Sequence, residues 1–188
     1  MLTAGISRMP SPMESLAILP AVNGFTFLFR SVSIAFLEVV VALIERPGGY
    51  VALKRFAWQA AIIVFGLQIA IIATPLAGIW FGNVIGLNPT LENLATTTVW
   101  AAITLAATGF GNSFCQGLLV HSRKTKSITE SVALCFIVII CGLIIGAKGD
   151  WITGVIFALL VYALGQATQF GWLYFRSRSD RKTHCKAN

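Results

Sequence analysis

The chain has 188 residues, of which 56% are hydrophobic and only 11% charged, and its net charge is +7. A soluble domain carries about a quarter charged residues, so a mean hydropathy of +0.80 excludes a water-soluble globular enzyme. In so apolar a chain, excess Lys and Arg sets membrane orientation rather than nucleic-acid binding. At roughly 20 residues per membrane-spanning helix, the length holds about five or six helices and excludes a complete twelve-helix carrier. The expectation is an all-α, polytopic membrane helix bundle of about five transmembrane helices, with the lipid bilayer as its first partner and no nucleic acid.

Residues 1–15 form an N-terminal segment without the marks of a secretory signal. The apolar run after it contains Arg30 and has no small-residue cleavage pattern. The bundle is expected over residues 16–176, with spans at 16–44, 58–81, 93–120, 131–147 and 151–175, and a basic tail follows at 177–188. At about 1.5 Å per residue, span one reaches about 43 Å against a hydrocarbon thickness of roughly 30 Å. It must therefore tilt, protrude or bend, and Pro20 and Gly24 are the expected bend points. Pro75 predicts a kink near the far end of span two.

The basic residues sort by loop. Arg46, Lys54 and Arg55 lie between spans one and two; Arg123, Lys124 and Lys126 lie between spans three and four; Arg176, Arg178, Arg181, Lys182 and Lys186 follow span five. Only Arg8 and Lys148 fall on the other side, and Arg30 lies within the membrane. This asymmetry predicts a plasma or inner membrane protein with a cytoplasmic C-terminus and, for five spans, an external N-terminus. The same rule accounts for the basic tail, and a polybasic lipid sensor is its alternative reading.

Arg30 and Glu38 interrupt span one, and near the bilayer centre each costs about 2.5–3.5 kcal/mol. The 17 Leu, Ile, Val and Phe residues of that span return about 5–10 kcal/mol. Span one is thus marginal alone and needs other helices or a water-filled cavity to shelter its charges. Eight residues place Arg30 and Glu38 about 12 Å apart along the axis, too far for a direct ion pair. Asn23 and Arg30, seven apart, share one face. The alternatives to a cavity role are that Arg30 caps a broken helix or snorkels, and that Glu38 marks the cytoplasmic boundary.

Amide residues recur at helical spacing: Asn112 and Gln116 in span three, Gln166 and Gln169 in span five, Gln59 and Gln68 in span two. Interhelical hydrogen bonding is one reading, at about 0.6 kcal/mol each, and lining of a substrate path is the other. Gly142 and Gly146 form a G-x-x-x-G pattern, and Thr96, Thr97, Thr98, Thr104 and Thr108 make span three rich in hydroxyls. Both features suit close helix contact. Trp58, Trp80, Trp100, Trp151 and Trp172, with Tyr50, Tyr162 and Tyr174, are read as an interfacial aromatic belt without a ligand role.

Cys115, Cys135, Cys141 and Cys185 show no C-x-x-C pair, and Cys in apolar runs behaves as a small hydrophobe. His121 and His184 lie in basic segments, away from any carboxylate cluster. No nucleophile elbow, phosphate loop or metalloprotease motif is present in the sequence. The expectation is a non-enzymatic protein without catalytic residues, cofactor or metal.

The run TPLAGIWFG (residues 74–82), a long helix ending in QGLLVHSRKTKS (residues 116–127) and a last helix ending in LYFRSR (residues 173–178) form an ordered pattern. It resembles the C-terminal half of the multidrug/oligosaccharidyl-lipid/polysaccharide flippase superfamily, to which MATE-like exporters belong. VIGLNPTLENLA (residues 84–95) and QGLLVHSRKT (residues 116–125) are similar to phrases of its progressive-ankylosis branch. The resemblance covers about residues 16–178. It implies helices eight to twelve of a two-lobe carrier, hence the second lobe of an exporter for an unknown solute, truncated or working with a first-lobe partner or as a homodimer. The first lobe, where related exporters hold cation-coupling carboxylates, has no counterpart here. Asn23, Arg30, Glu38, Asn112, Gln116 and Gln166 are then the candidate transport-path residues. A non-transporting membrane scaffold or assembly protein is the alternative.

Overall fold

The computed structural model describes residues 3, 6–7, 11–146 and 154–178, and the regular structure in them is all helical. Helix α1 spans Pro12–Leu43, α2 Gly49–Ala73 and α3 Leu76–Ile79, which runs into a π-helical turn at Trp80–Val84. Helix α4 spans Pro89–His121, α5 Thr125–Gly146 and α6 Gly154–Arg176. Helices α1, α2, α5 and α6 are each long and apolar enough to cross a bilayer. The two halves of α4, Pro89–Ile103 and Thr108–His121, meet at 41° and, taken together, are long and apolar enough to count as a fifth candidate span. The chain is a multi-pass membrane helix bundle. Arg8, Lys148, Trp151, Arg181, Lys182, His184, Cys185 and Lys186 lie outside the described residues, as does the Thr104 side chain.

The helices exceed the apolar runs that reveal them. Hydropathy marks the part that lipid covers, whereas backbone hydrogen bonding continues into the polar interface. Helix α2 therefore starts at Gly49 and carries Lys54 and Arg55 on its first turns. Helix α1 is unbroken through Pro20 and Gly24. Proline at the first helical turn, with its φ already set, opens both α1 at Pro12 and α4 at Pro89. The α1–α2 turn depends on Gly48, whose φ of 74° few side chains tolerate.

Pro75 ends its helix rather than kinking it. The Thr74 amide and hydroxyl both donate to the Ala70 carbonyl, at 3.2 and 2.8 Å. Pro75 then supplies no N–H to continue the ladder. The chain resumes as α3 and the π turn, closed by the Ile85 amide donating to the Trp80 carbonyl at 3.1 Å.

Helix α4 is the centre of the bundle and packs against α1, α2 and α6. Glycines let α1 and α4 approach closely: a Cβ on Gly109 would lie 2.5 Å from Ser33 Oγ, and one on Gly117 2.6 Å from Val40 Cγ1. Phe36 meets Phe110, and Tyr50 meets Phe114, with ring centroids 6.0 and 5.7 Å apart. Helices α5 and α6 meet in the same glycine-mediated way, through Gly142 against Val161 and Gly165 against Ile139. The span-three threonines bond within their own helix. The Thr96, Thr97 and Thr98 hydroxyls donate to the Glu92, Asn93 and Leu94 carbonyls one turn earlier. A back-bonded hydroxyl satisfies itself within its own helix and favours bending.

The basic loops share one end of the bundle. His121 Nε2 lies 3.7 Å from Glu45 Oε1, joining the α1–α2 turn to the end of α4. Arg176 donates to Glu130 across 2.8 Å, joining the end of α6 to the start of α5.

Candidate functional site: a polar chain beside a membrane-depth cavity

Arg30 stands about 27 Å from the start of α1 and about 20 Å from its end at 1.5 Å per residue. It is half-buried, and at that depth its guanidinium needs polar partners. Helix α6 supplies the first: Arg30 Nη1 donates to the Tyr162 hydroxyl oxygen at 3.0 Å, with the guanidinium carbon 5.6 Å from the ring centroid. Gln166, one turn further along α6, donates from Nε2 to the same oxygen at 3.1 Å. Its Oε1 accepts a bond from Asn112 Nδ2 of α4, also at 3.1 Å. Four side chains thus form one hydrogen-bonded chain across α1, α6 and α4. Asn112 is buried, and its Oδ1 has no protein partner.

Beside this chain lies a cavity of about 370 Å³, lined by Asn23, Gly24, Thr26, Phe27, Arg30, Leu105 and Tyr162. The size falls within the roughly 300–1,000 Å³ range of small-molecule sites. The Thr26 hydroxyl donates to the Val22 carbonyl at 2.8 Å, so it has no hydrogen left to donate into the cavity. Arg30, Asn23 and Tyr162 supply the polar side-chain groups, and Phe27, Leu105 and the Gly24 backbone make up the remainder. A Cβ on Gly24 would meet nothing within 4 Å, so the missing side chain leaves open space. Among the described residues no carboxylate lies within ion-pair distance of Arg30.

The six sequence candidates separate into three groups. Asn23 and Arg30 line the cavity, and Asn112 and Gln166 complete the chain behind it. Gln116 is half-buried one turn beyond Asn112 and outside the cavity lining. Glu38 is exposed on α1 and also outside it. Tyr162, assigned to the aromatic belt on sequence grounds, lies in the interior of α6 and joins Arg30 to Gln166. Its signal was present in the i, i+4 spacing of Tyr162 and Gln166. The partner on α1 is visible only in three dimensions.

The other amides behave unequally. Gln68 is fully buried with both amide atoms unpartnered by protein, while Gln59 is exposed. Gln169 is buried on the face of α6 next to Gln166. Cys115 and Cys135 are buried and Cys141 is exposed. No cluster of three or more potential metal ligands occurs among the described residues. Comparison with known protein families, curated proteins and solved structures finds no match to this chain.

Proposed function

We propose that this chain is the solute-handling lobe of a flippase-type membrane exporter and works with a partner lobe or a second copy of itself. The observation that carries the reading is the Arg30–Tyr162–Gln166–Asn112 chain beside a cavity at bilayer depth. Intramembrane ionisable residues are costly and are kept where they line substrate or ion pathways. Here the cost falls on a residue that faces open space. The exposed Asn23, Gly24 and Phe27 leave one side of the cavity open, as alternating access against a second lobe requires. The order of motifs that resembles the second lobe of such carriers supports the same reading, and the loop charges favour a cytoplasmic basic end.

The scaffold alternative draws on glycine and hydroxyl residues suited to helix contact. Gly109, Gly117, Gly142 and Gly165, with the Thr96–Thr98 hydroxyls, are already engaged inside this bundle, which favours the carrier reading. The test is aqueous accessibility. Single cysteines replacing Asn23, Gly24 and Tyr162 in an otherwise cysteine-free chain are expected to react in native membranes with a charged maleimide, and cysteines replacing Ile63 and Ile145 are expected to be inert. If the cavity cysteines are as inert as the lipid-facing pair in every condition tried, the carrier reading fails.

A further inference from the structure

Hydrogen-bond counting along the polar chain gives the cavity a definite chemical preference. A guanidinium can only donate, so the Tyr162 oxygen must accept from Arg30. That oxygen also accepts from Gln166 Nε2. Both of its lone pairs are then occupied, and its one hydrogen is left to donate elsewhere. Tyr162 lines the cavity beside Arg30, which keeps four further N–H donors. We propose that this cavity is an oxyanion-binding site in which Arg30 and the Tyr162 hydroxyl are the two donors, with Gln166 and Asn112 as the positioning residues that keep the hydroxyl facing the ligand. The proposal rests on the cavity being a solute site, and it adds the chemistry of the solute: a carboxylate or phosphate group.

The amide orientations support this direction. If both amides were turned over, Tyr162 would donate to Gln166 Oε1, and the cavity would lose its hydroxyl donor. The turned chain would also leave a buried Asn112 N–H group unpaired in place of the Oδ1 acceptor. An unpaired donor is the rarer of the two in buried sites, so the orientation that presents the hydroxyl to the cavity is preferred. An oxyanion in the cavity strengthens that preference, because it accepts from Tyr162 and Arg30 together. The open side at Phe27, which is 58% exposed, admits either the head of an anionic lipid or a soluble anion.

The experiment uses the full chain in phosphatidylcholine nanodiscs at 0.5 M salt, which screens the basic rim. One arm measures association of spin-labelled phosphatidic acid relative to spin-labelled phosphatidylcholine. The other measures inorganic phosphate and benzoate by equilibrium dialysis. Binding in the first arm identifies a lipid head as the source, and binding in the second identifies a soluble anion. In whichever arm binds, Arg30→Gln is expected to reduce association to background. Tyr162→Phe is expected to weaken it about tenfold, the effect of losing one hydrogen bond to a charged group, and Arg30→Lys is expected to retain part of it. Gln166→Glu supplies an acceptor that captures the Tyr162 hydrogen, so it is expected to weaken binding more in the Tyr162 background than in the Tyr162→Phe background. The Phe background isolates the effect of the new charge alone. Elution volume and helical content are checked for every variant. No preference in either arm, or equal Gln166→Glu effects in the two backgrounds, overturns the proposal. If the cavity cysteines are nevertheless water-accessible, the carrier reading stands and only the ligand chemistry falls.

Discussion

Two faces of α6 make contacts of opposite character. Val161 and Gly165 meet Gly142 and Ile139 of α5 in a tight apolar seam, while the next residues, Tyr162 and Gln166, carry the polar chain to Arg30 and Asn112. Each pair is four residues apart, and a step of one residue turns the face by about 100°. A bilayer offers no hydrophobic driving force between helices, so the seam holds through close van der Waals packing. The polar chain answers to a different constraint: it satisfies a charge that the membrane would otherwise penalise. The comparison separates the residues that hold the bundle together from those that make it specific.

The largest test of this separation is Arg30→Leu. On the translocon insertion scale it is expected to improve membrane insertion of the isolated first span by about 3–4 kcal/mol, measured by glycosylation mapping, while removing the cation of the cavity. An unchanged insertion free energy would mean that Arg30 already escapes the hydrocarbon in the isolated span and needs no partner helix to shelter it.

Gly142→Leu tests the seam. A Cβ there would already stand 2.5 Å from Val161 Cγ1. The larger side chain is expected to destabilise the bundle by about 3 kcal/mol through overpacking, read by denaturant titration in detergent. Cavity labelling per folded molecule should persist. A smaller effect follows from the Asn112→Ala and Gln166→Ala double-mutant cycle, with an expected coupling of about 0.6 kcal/mol. A coupling near zero would detach Asn112 from the chain. Least of all, Arg176→Gln is expected to cost about 0.3 kcal/mol and less at high salt, because its pair with Glu130 is exposed.

The bundle was legible in the sequence because span formation depends on summed hydropathy, a property of local composition. The helix ends were less so. Pro75 was read as a kink within a span continuing to residue 81, whereas the helix ends at Ala73 because Pro75 has no N–H for the Ile71 carbonyl and forces Thr74 into an extended conformation. Asn23 and Arg30 were legible as one face because seven residues return a helix nearly to the same azimuth. Tyr162 was not: an aromatic residue with a polar tip suits both an interface and a buried hydrogen bond, and only the position of α1 distinguishes them. The same gap affects Gln68, whose expected interhelical bond is absent among the described residues although the side chain is buried.

The 41° bend of α4 between Ile103 and Thr108 gives the central helix two arms and a fulcrum. Leu105, in the cavity wall, sits at that fulcrum, and Asn112 sits on the arm leading to the basic end. The second arm is about 20 Å long at 1.5 Å per residue. A change of about 10° in the bend would carry its far end, at His121, through about 3.5 Å relative to Leu105. Mechanical leverage in this fold therefore runs from the cavity outward: small changes of bend beside the cavity would become displacements of several ångströms at the basic end.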